Sequence, residues 1–194
     1  MLTKDMTWEE MTWEDAYAYL SKHRDAPDVK ITCTAITRMG KPFDAKHVEQ
    51  AAPLVATYLA HANFLVRYQA VWFLGSWAKL QDYLPEVIRA AQTDEEVDNR
   101  AFAARCAGSI LESNPNANAV KILLQMALSA GEDADVRSAA YGSLLYAFYG
   151  KKAWARAKEF EPIGTKSVEN FDTDWLLSLK PWIQSLEEAK ALQL

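Results

Sequence analysis

A basic residue recurs along the chain, and its local context recurs with it. Lys30, Arg67, Arg100 and Arg137 are 37, 33 and 37 residues apart. Each arginine is followed three and seven positions later by a small or apolar residue, and the copy at Lys30 is weaker because Thr37 occupies the second of these positions. A period of this length is typical of helix–turn–helix units that cannot bury an apolar face alone and therefore stack on their neighbours. The repeat predicts a linear array of helical hairpins.

The spacing of apolar residues divides the array into units of two helices each. The predicted units span residues 7–40, 44–79, 82–112 and 115–149, and a C-terminal cap covers 151–194, so that residues 1–194 form a single domain. Thr7 and Glu10 fit a capping box, which predicts that the first helix begins at Thr7 and ends at Lys22. Asn114-Pro115 is predicted to open the first helix of the fourth unit. A final helix is predicted from about Thr173.

Composition favours the same fold class. The 194 residues include 31 Ala but only 7 Gly and 7 Pro, a bias that favours helices over strands and turns. Half of the residues are hydrophobic, which supplies enough apolar surface for a packed core. The prediction is an all-α protein.

The repeat resembles the HEAT-repeat family. The family pattern places a Pro in the first helix and opens the second helix with Val-Arg, and here Pro53 precedes Arg67 by 14 residues and Pro85 precedes Arg100 by 15. Val66 stands before Arg67, whereas Asn99 replaces the Val before Arg100. The resemblance covers about residues 7–149 and implies a right-handed α–α superhelix of four to five HEAT-like hairpins.

The two cysteines and the hydropathy of the chain predict the cellular compartment of the protein. Cys33 and Cys106 lie in apolar context and are too few for a disulfide scaffold, so both are expected to be buried thiols. The sequence has no long apolar run and no apolar segment of a secretion signal near Met1. A soluble, cytoplasmic protein without membrane contact is expected.

The second helix of each unit is expected to present one face to a partner. Counting from the basic residue at 100° per residue, the core positions are −1, +3, +6, +7 and +10, and the outward positions are +1, +5, +8 and +12. Stacked second helices line the concave wall on which such arrays usually hold a partner. The predicted partner-binding residues are Arg38, Tyr68, Trp72, Lys79, Arg105 and Tyr149. The alternative for Trp72 is that its ring is packed between neighbouring helices.

The basic row has two interpretations. In HEAT-like arrays this position typically pairs with an Asp of an adjacent turn, and Asp94, Asp98 and Asp133 are among those available. A structural ladder is therefore the leading interpretation of Lys30, Arg67, Arg100 and Arg137. A phosphate-binding row is the alternative.

No catalytic or metal-binding pattern emerges from the sequence. His23, His47 and His61 show none of the usual metal-ligand spacings, and the isolated glycines form no phosphate-binding loop. We therefore expect no enzyme activity, no metal and no cofactor. A net charge of −5 argues against nucleic acid as a partner, although residues 151–158 hold four bases and no acid.

These observations predict a non-enzymatic protein-binding scaffold or inhibitor with a protein partner. Small acidic helical arrays resemble bacterial immunity proteins that neutralise a toxin domain, which is a finer form of this hypothesis. The alternative is a protein acting on nucleic acid that resembles the HEAT-like alkylpurine DNA glycosylases, with Tyr68 and Trp72 stacking on bases. The outward positions contain no carboxylate before Glu112, which counts against that alternative. A bilin-lyase-like role is a third possibility that no motif supports.

Overall fold

A computed structural model of the protein describes residues 10–24, 28–40, 45–112, 115–153 and 171–191, with side chains of the last helix described up to residue 185. The described residues form helices joined by turns, with no strand among them, so the all-α fold class is confirmed. In chain order the α-helices are α1 Trp13–Lys22, α2 Val29–Met39, α3 Ala45–Ala56, α4 Phe64–Val71, α5 Leu84–Thr93, α6 Val97–Ile110, α7 Ala117–Leu128, α8 Ala134–Tyr149 and α9 Thr173–Ala191.

The helices pack as a stack of hairpins in two layers. Within units, α1 packs on α2, α5 on α6 and α7 on α8, while the short 3₁₀ helix Thr57–Ala60 that follows α3 packs on α4. Between units, α2, α4, α6 and α8 each contact the next in the series, and on the other side α1 contacts α3, α5 contacts α7 and α7 contacts α9. One layer therefore consists of second helices, as the repeat predicts, and one core runs from Met11 to Ile183.

Polar side chains cap the starts of six of the described helices. Each accepts a hydrogen bond from a backbone N–H two or three residues further on, which satisfies one of the donors left unpaired at a helix start. The capping residues are Thr12, Asp28, Asn63, Asn116, Asp133 and Asp172.

Two predicted helix starts are wrong. The first helix begins at Trp13, with Thr12 as its cap, because the indole of Trp13 is buried and donates to the carbonyl of Met39 at 3.3 Å. The segment Met-Thr-Trp-Glu occurs twice, and the helix uses the second copy; Thr7, in the first copy, lies outside the described residues. In the fourth unit the cap is Asn116, and Asn114 is again outside the described residues.

The second helix of the second unit widens after two turns. It is α-helical only to Val71 and continues as a π-helical turn over Trp72–Trp77, in which the N–H of Ala78 donates to the carbonyl of Phe73 at 2.9 Å. Lys79 then leaves the helix with φ = 48°, a left-handed backbone that favours glycine. The predicted continuous helix from Phe64 to Lys79 is therefore interrupted at Trp72.

Four of the five core positions deduced from the repeat hold in the second, third and fourth units; at the fifth, +10, Ile110 and Ala147 are buried but Trp77 is only half-buried. Residues at −1, +3, +6 and +7 are buried in all three: Val66, Ala70, Phe73, Leu74, Asn99, Ala103, Cys106, Ala107, Val136, Ala140, Ser143 and Leu144. In the first unit Cys33 is only half-buried, so the expectation of two buried thiols is met by Cys106 and not by Cys33. The end units of an array have a neighbour on one side only, which leaves their faces less covered.

Candidate functional site

Arg67 joins the turns of two consecutive units. Its Nε and Nη2 donate to the two carboxylate oxygens of Asp94, each at 2.8 Å, and its Nη1 donates to the carbonyls of His61 and Ala62 at 2.9 and 3.0 Å. Glu95 lies 3.0 Å from the same guanidinium. Arg67 is buried, and the side chain of Asp94 is only 4% exposed. This is a buried, bidentate ion pair between the second and third units.

The surroundings of Asp94 keep its carboxylate ionised. Burial alone would raise the pKa of Asp94, but hydrogen bonds from Arg67, from the backbone N–H of Glu96 and from Asn99 outweigh burial and hold the pKa below its ordinary value. Asn99 also donates to the carbonyl of Phe64 at 3.0 Å. The Asn that replaces the family's Val therefore connects the start of α4 to this ion pair.

The other two arginines of the basic row also donate to a backbone carbonyl at the end of the first helix of their unit. Arg100 donates to the carbonyl of Asp94 at 2.8 Å and to Glu132 of the next unit at 3.2 Å. Arg137 donates to the carbonyl of Ala127 at 3.1 Å, and its guanidinium carbon is 6.0 Å from the centre of the Phe171 ring. Lys30 is exposed. The contacts of the three arginines account for their positions without a phosphate ligand.

Two of the predicted partner-binding residues meet in one groove. Tyr68 of α4 and Arg105 of α6 line a groove of about 360 Å³ together with Phe102, Ala101, Asp98 and, from α8, Asp135. The rings of Tyr68 and Phe102 are stacked, with centroids 4.0 Å apart and an interplanar angle of 19°. Tyr68 and Arg105 are both exposed. The groove is on the second-helix layer, where the repeat places a binding wall.

The other four predicted partner-binding residues contact other groups of the protein itself. The half-buried ring of Trp72 lies 4.6 Å from that of Trp77, and Arg38 Nε donates to the carbonyl of Met11 at 2.6 Å. Lys79 pairs with Glu112 at 2.8 Å, and the hydrogen bond from Lys79 lowers the pKa of Glu112. The ring of Tyr149 is 5.8 Å from that of Trp175 in α9. The structure does not bring these four residues into the groove of Tyr68 and Arg105.

Several positions expected to face outward are buried instead. They are Ala35, Gly75, Ala101, Gly108 and Leu145. The reason is that a second helix inside the array is flanked by the second helices of both neighbouring units as well as by its own partner, so only a narrow strip remains exposed. A Cβ atom at Gly75 would lie 2.5 Å from Cβ of Cys106, and one at Gly108 would lie 2.8 Å from Cα of Ser143. Position +8 therefore faces position +6 of the next unit.

The outward positions also omitted the carboxylates of the groove. Asp98 and Asp135 both stand two residues before the arginine of their unit, and seven residues separate position −2 from position +5. Seven residues are close to two helical turns, so both positions lie on one face. The expectation that this face lacks a carboxylate before Glu112 is therefore wrong. Extending the outward face by seven residues towards the start of each second helix would have identified both aspartates.

Two large apolar residues of the site were also not predicted. Phe64 and Leu65 begin α4 and are 42% and 48% exposed, next to Tyr68 at 36%. Three large apolar side chains are thus exposed within five residues of one helix. We call these three residues and Phe102 the aromatic patch. Partial burial raises the pKa of the Tyr68 phenol, as does the nearby Cys106, whereas Arg105 opposes the rise.

Both thiols have raised pKa values, so little of either is in the reactive thiolate form at neutral pH. Burial raises the pKa of Cys106 to about 12 and that of Cys33 to about 11. Within the described ranges, no group of three or more His, Cys, Asp or Glu residues is placed to hold a metal ion.

We expect the two thiols to differ in their reactivity towards a neutral disulfide reagent. Cys33 is half-buried and Cys106 is fully enclosed, so Cys33 should react first in the native protein and both should react at equal rates in 6 M denaturant. Labelling of a cysteine releases a thiol from the reagent, and the rate of this release, measured on each single Cys→Ser variant, checks the order. Faster native labelling of Cys106 would contradict its burial against Gly75.

The fold and the groove define a class: an α-solenoid whose layer of second helices presents an aromatic and charged groove. Residues 51–145, which cover most of the second to fourth units, match the family model for HEAT repeats. This part of the chain consists of HEAT repeats. A comparison with curated proteins finds no match. HEAT repeats commonly serve as scaffolds for protein interactions.

In the described part of the chain, no helix is long and apolar enough to cross a membrane. Residues 154–158 of the basic segment lie outside the described residues, and Lys151 and Lys152 are exposed.

Proposed function

We propose that the protein is a non-enzymatic binding protein whose partner protein covers the aromatic patch and Arg105. The observation that carries the proposal is the joint exposure of Phe64, Leu65 and Tyr68 on two turns of α4. Large apolar side chains that are clustered and exposed on a folded domain mark interaction surfaces. A partner that buries them removes apolar area from water.

The chemistry of this surface is that of an interface anchor. Tyr and Arg are enriched among the residues that contribute most to protein interfaces, because they bury much area while losing little conformational freedom. The stack of Tyr68 on Phe102 holds the phenol ring in place before a partner arrives. The buried Asn99 donates a hydrogen bond to the carbonyl of Phe64 and so helps to fix the backbone of this surface. The patch is therefore preorganised for binding.

The finer form of the proposal is an inhibitor that neutralises a toxin domain. A net charge of −5 and the carboxylates at the groove support it, since they suit a partner with a basic surface. A toxin domain recovered with the protein from its native host is the expected result for this form. Retardation of duplex DNA at low salt would instead favour the nucleic-acid alternative.

Substitutions in the aromatic patch should weaken binding and leave the fold intact. Leu65→Ser alters an exposed side chain, so the free energy of unfolding should change by no more than about 0.5 kcal/mol. Tyr68→Ala loses one ring stack, worth about 0.5–1.5 kcal/mol. Proteins captured from a native-host lysate by the wild type should fall about tenfold or more with either variant, as quantified by mass spectrometry.

Leu177→Ser is the matched control, because Leu177 is an equally exposed leucine on α9, away from the groove. It should retain the captured proteins at the level of the wild type. Equal capture by all four forms would show that the partner binds elsewhere and would overturn the proposed function.

A further inference from the structure

We propose that the groove accepts a lysine or arginine side chain of the partner, and that an apolar side chain next to it in the partner covers Phe64 and Leu65. The inference rests on the proposed function, because it names the chemistry of the partner at the same surface. It is carried by two carboxylates, a stacked ring pair and an exposed apolar edge that line or adjoin one groove.

The carboxylates come from two neighbouring units. Asp98 lies in the first turn of α6 and Asp135 in the first turn of α8, at the same position of the repeat, and both line the groove. Asp98 is exposed and Asp135 is half-buried. Stacking of the units thus places two acidic side chains in one groove with the aromatic pair. A cation entering here meets a carboxylate from each unit.

The aromatic pair provides the second feature that suits a cation. Tyr68 and Phe102 are stacked beside Asp98, and the face of an aromatic ring attracts a guanidinium or ammonium group. Arginine combines both interactions, since its planar guanidinium pairs with carboxylates and stacks on rings. A groove of about 360 Å³ leaves room for one long side chain.

Arg105 makes the two ends of the groove differ in charge. Asp98, Phe102 and Arg105 follow one another at intervals of four and three residues on α6, so they form a stripe along one face. Arg105 therefore lies about 10 Å along the helix axis from Asp98. A bound segment is oriented with its basic residue over the carboxylates and away from Arg105, because the reverse orientation opposes like charges.

Other partner chemistries are less compatible with these groups. An acidic segment would place its carboxylates against Asp98 and Asp135. A purely apolar segment would cover the exposed carboxylate of Asp98 without pairing it, and desolvating such a charge is costly. A basic side chain beside an apolar one satisfies both the carboxylates and the aromatic patch.

Selection of peptides on the full-length protein tests the inference. Random 12-residue peptides displayed on phage are selected on immobilised protein and then synthesised. Enriched peptides should carry a lysine or arginine within about two residues of a leucine, isoleucine or phenylalanine. Their dissociation constants should rise about tenfold or more for Asp98→Lys, while replacing the basic residue of the peptide with Gln should remove that sensitivity.

Asp174→Lys is the matched charge control, because Asp174 is also an exposed acid in the first turn of a helix but lies on α9. It should leave peptide affinity within about twofold of the wild type. Thermal melting of both variants checks that the fold is retained, and Asp98→Asn replaces Asp98→Lys if the lysine variant does not fold.

The outcomes separate the inference from the proposed function. Peptides that lose affinity with Leu65→Ser and Tyr68→Ala but show no basic residue would overturn the inference and leave the binding surface in place. Peptides that bind those two variants as well as the wild type would count against the surface itself. Failure to enrich any peptide over a selection without protein would also overturn the inference, while the lysate experiment continues to test the proposed function.

Discussion

Asp94→Ala should destabilise the folded protein by about 3–5 kcal/mol, because removing one partner of a buried ion pair leaves the other charge buried and uncompensated. The uncompensated charge is the guanidinium of Arg67, which donates two hydrogen bonds to Asp94. Asn99 and the N–H of Glu96 lose an acceptor in the same change. Urea denaturation at pH 7 measures the loss. A value below about 1 kcal/mol would show that the pair does not hold the second and third units together.

The same carboxylate should contribute to the acid sensitivity of the fold. Its pKa is lowered in the folded state, so its stabilising contribution is fully present above the unfolded value of about 3.9 and is lost as the pH falls from there through the folded value. Asp94→Asn cannot titrate at this position. Its stability, measured by urea denaturation at a series of pH values, should therefore fall less steeply over that window than that of the wild type.

Asp82→Ala is the control for both measurements. Asp82 is an exposed acid in the short 3₁₀ helix before α5, so its removal should change the free energy of unfolding by no more than about 0.5 kcal/mol. Wild-type and Asp82→Ala proteins should also lose stability in parallel as the pH falls. An equal loss for Asp94→Asn would contradict the role assigned to the Asp94 carboxylate.

Gly108→Val should cost about 3 kcal/mol, at the upper end of the range for overpacking a well-packed contact. Even a Cβ atom at this position would lie 2.8 Å from Cα of Ser143, and that atom belongs to the backbone of α8 and cannot rotate away. Ser143 is itself held by hydrogen bonds from its hydroxyl to the carbonyls of Ala104 and Ala139, each at 2.7 Å. The two helices must separate to admit the new side chain. Thermal or urea denaturation measures the effect.

Gly131→Ala provides the matched comparison. Gly131 lies in the turn between α7 and α8, and a Cβ atom there would meet nothing within 4 Å. This variant should stay within about 0.5 kcal/mol of the wild type. Gly108→Ala should be intermediate, at about 1–3 kcal/mol. If Gly108→Val were as stable as Gly131→Ala, the close approach of α6 and α8 would not be a constraint on the array.

The repeat made much of the candidate site predictable. Tyr68 and Arg105 were found because one-dimensional stacking places equivalent positions of successive units side by side, and both line the groove. Asp98 and Asp135 were missed only because the outward face was not extended back by seven residues. Leu65 stands at the same position, two residues before Arg67, and was missed for the same reason. Phe64 carried no such signal, since apolar residues at the start of a helix are usually packed, and its exposure depends on what the neighbouring unit leaves uncovered.

The sequence alone determined the all-α class and most of the core positions of the second helices in the second to fourth units, because these depend on local periodicity and on a spacing that the units repeat. Only the tertiary structure decided which outward positions remain exposed, since Gly75 and Gly108 lie where adjacent helices approach most closely. It also decided the partners of the arginines: Arg67 pairs with an Asp, whereas Arg100 pairs with Glu132. Side chains far apart in the chain meet through packing distances between units, and local sequence does not encode those distances.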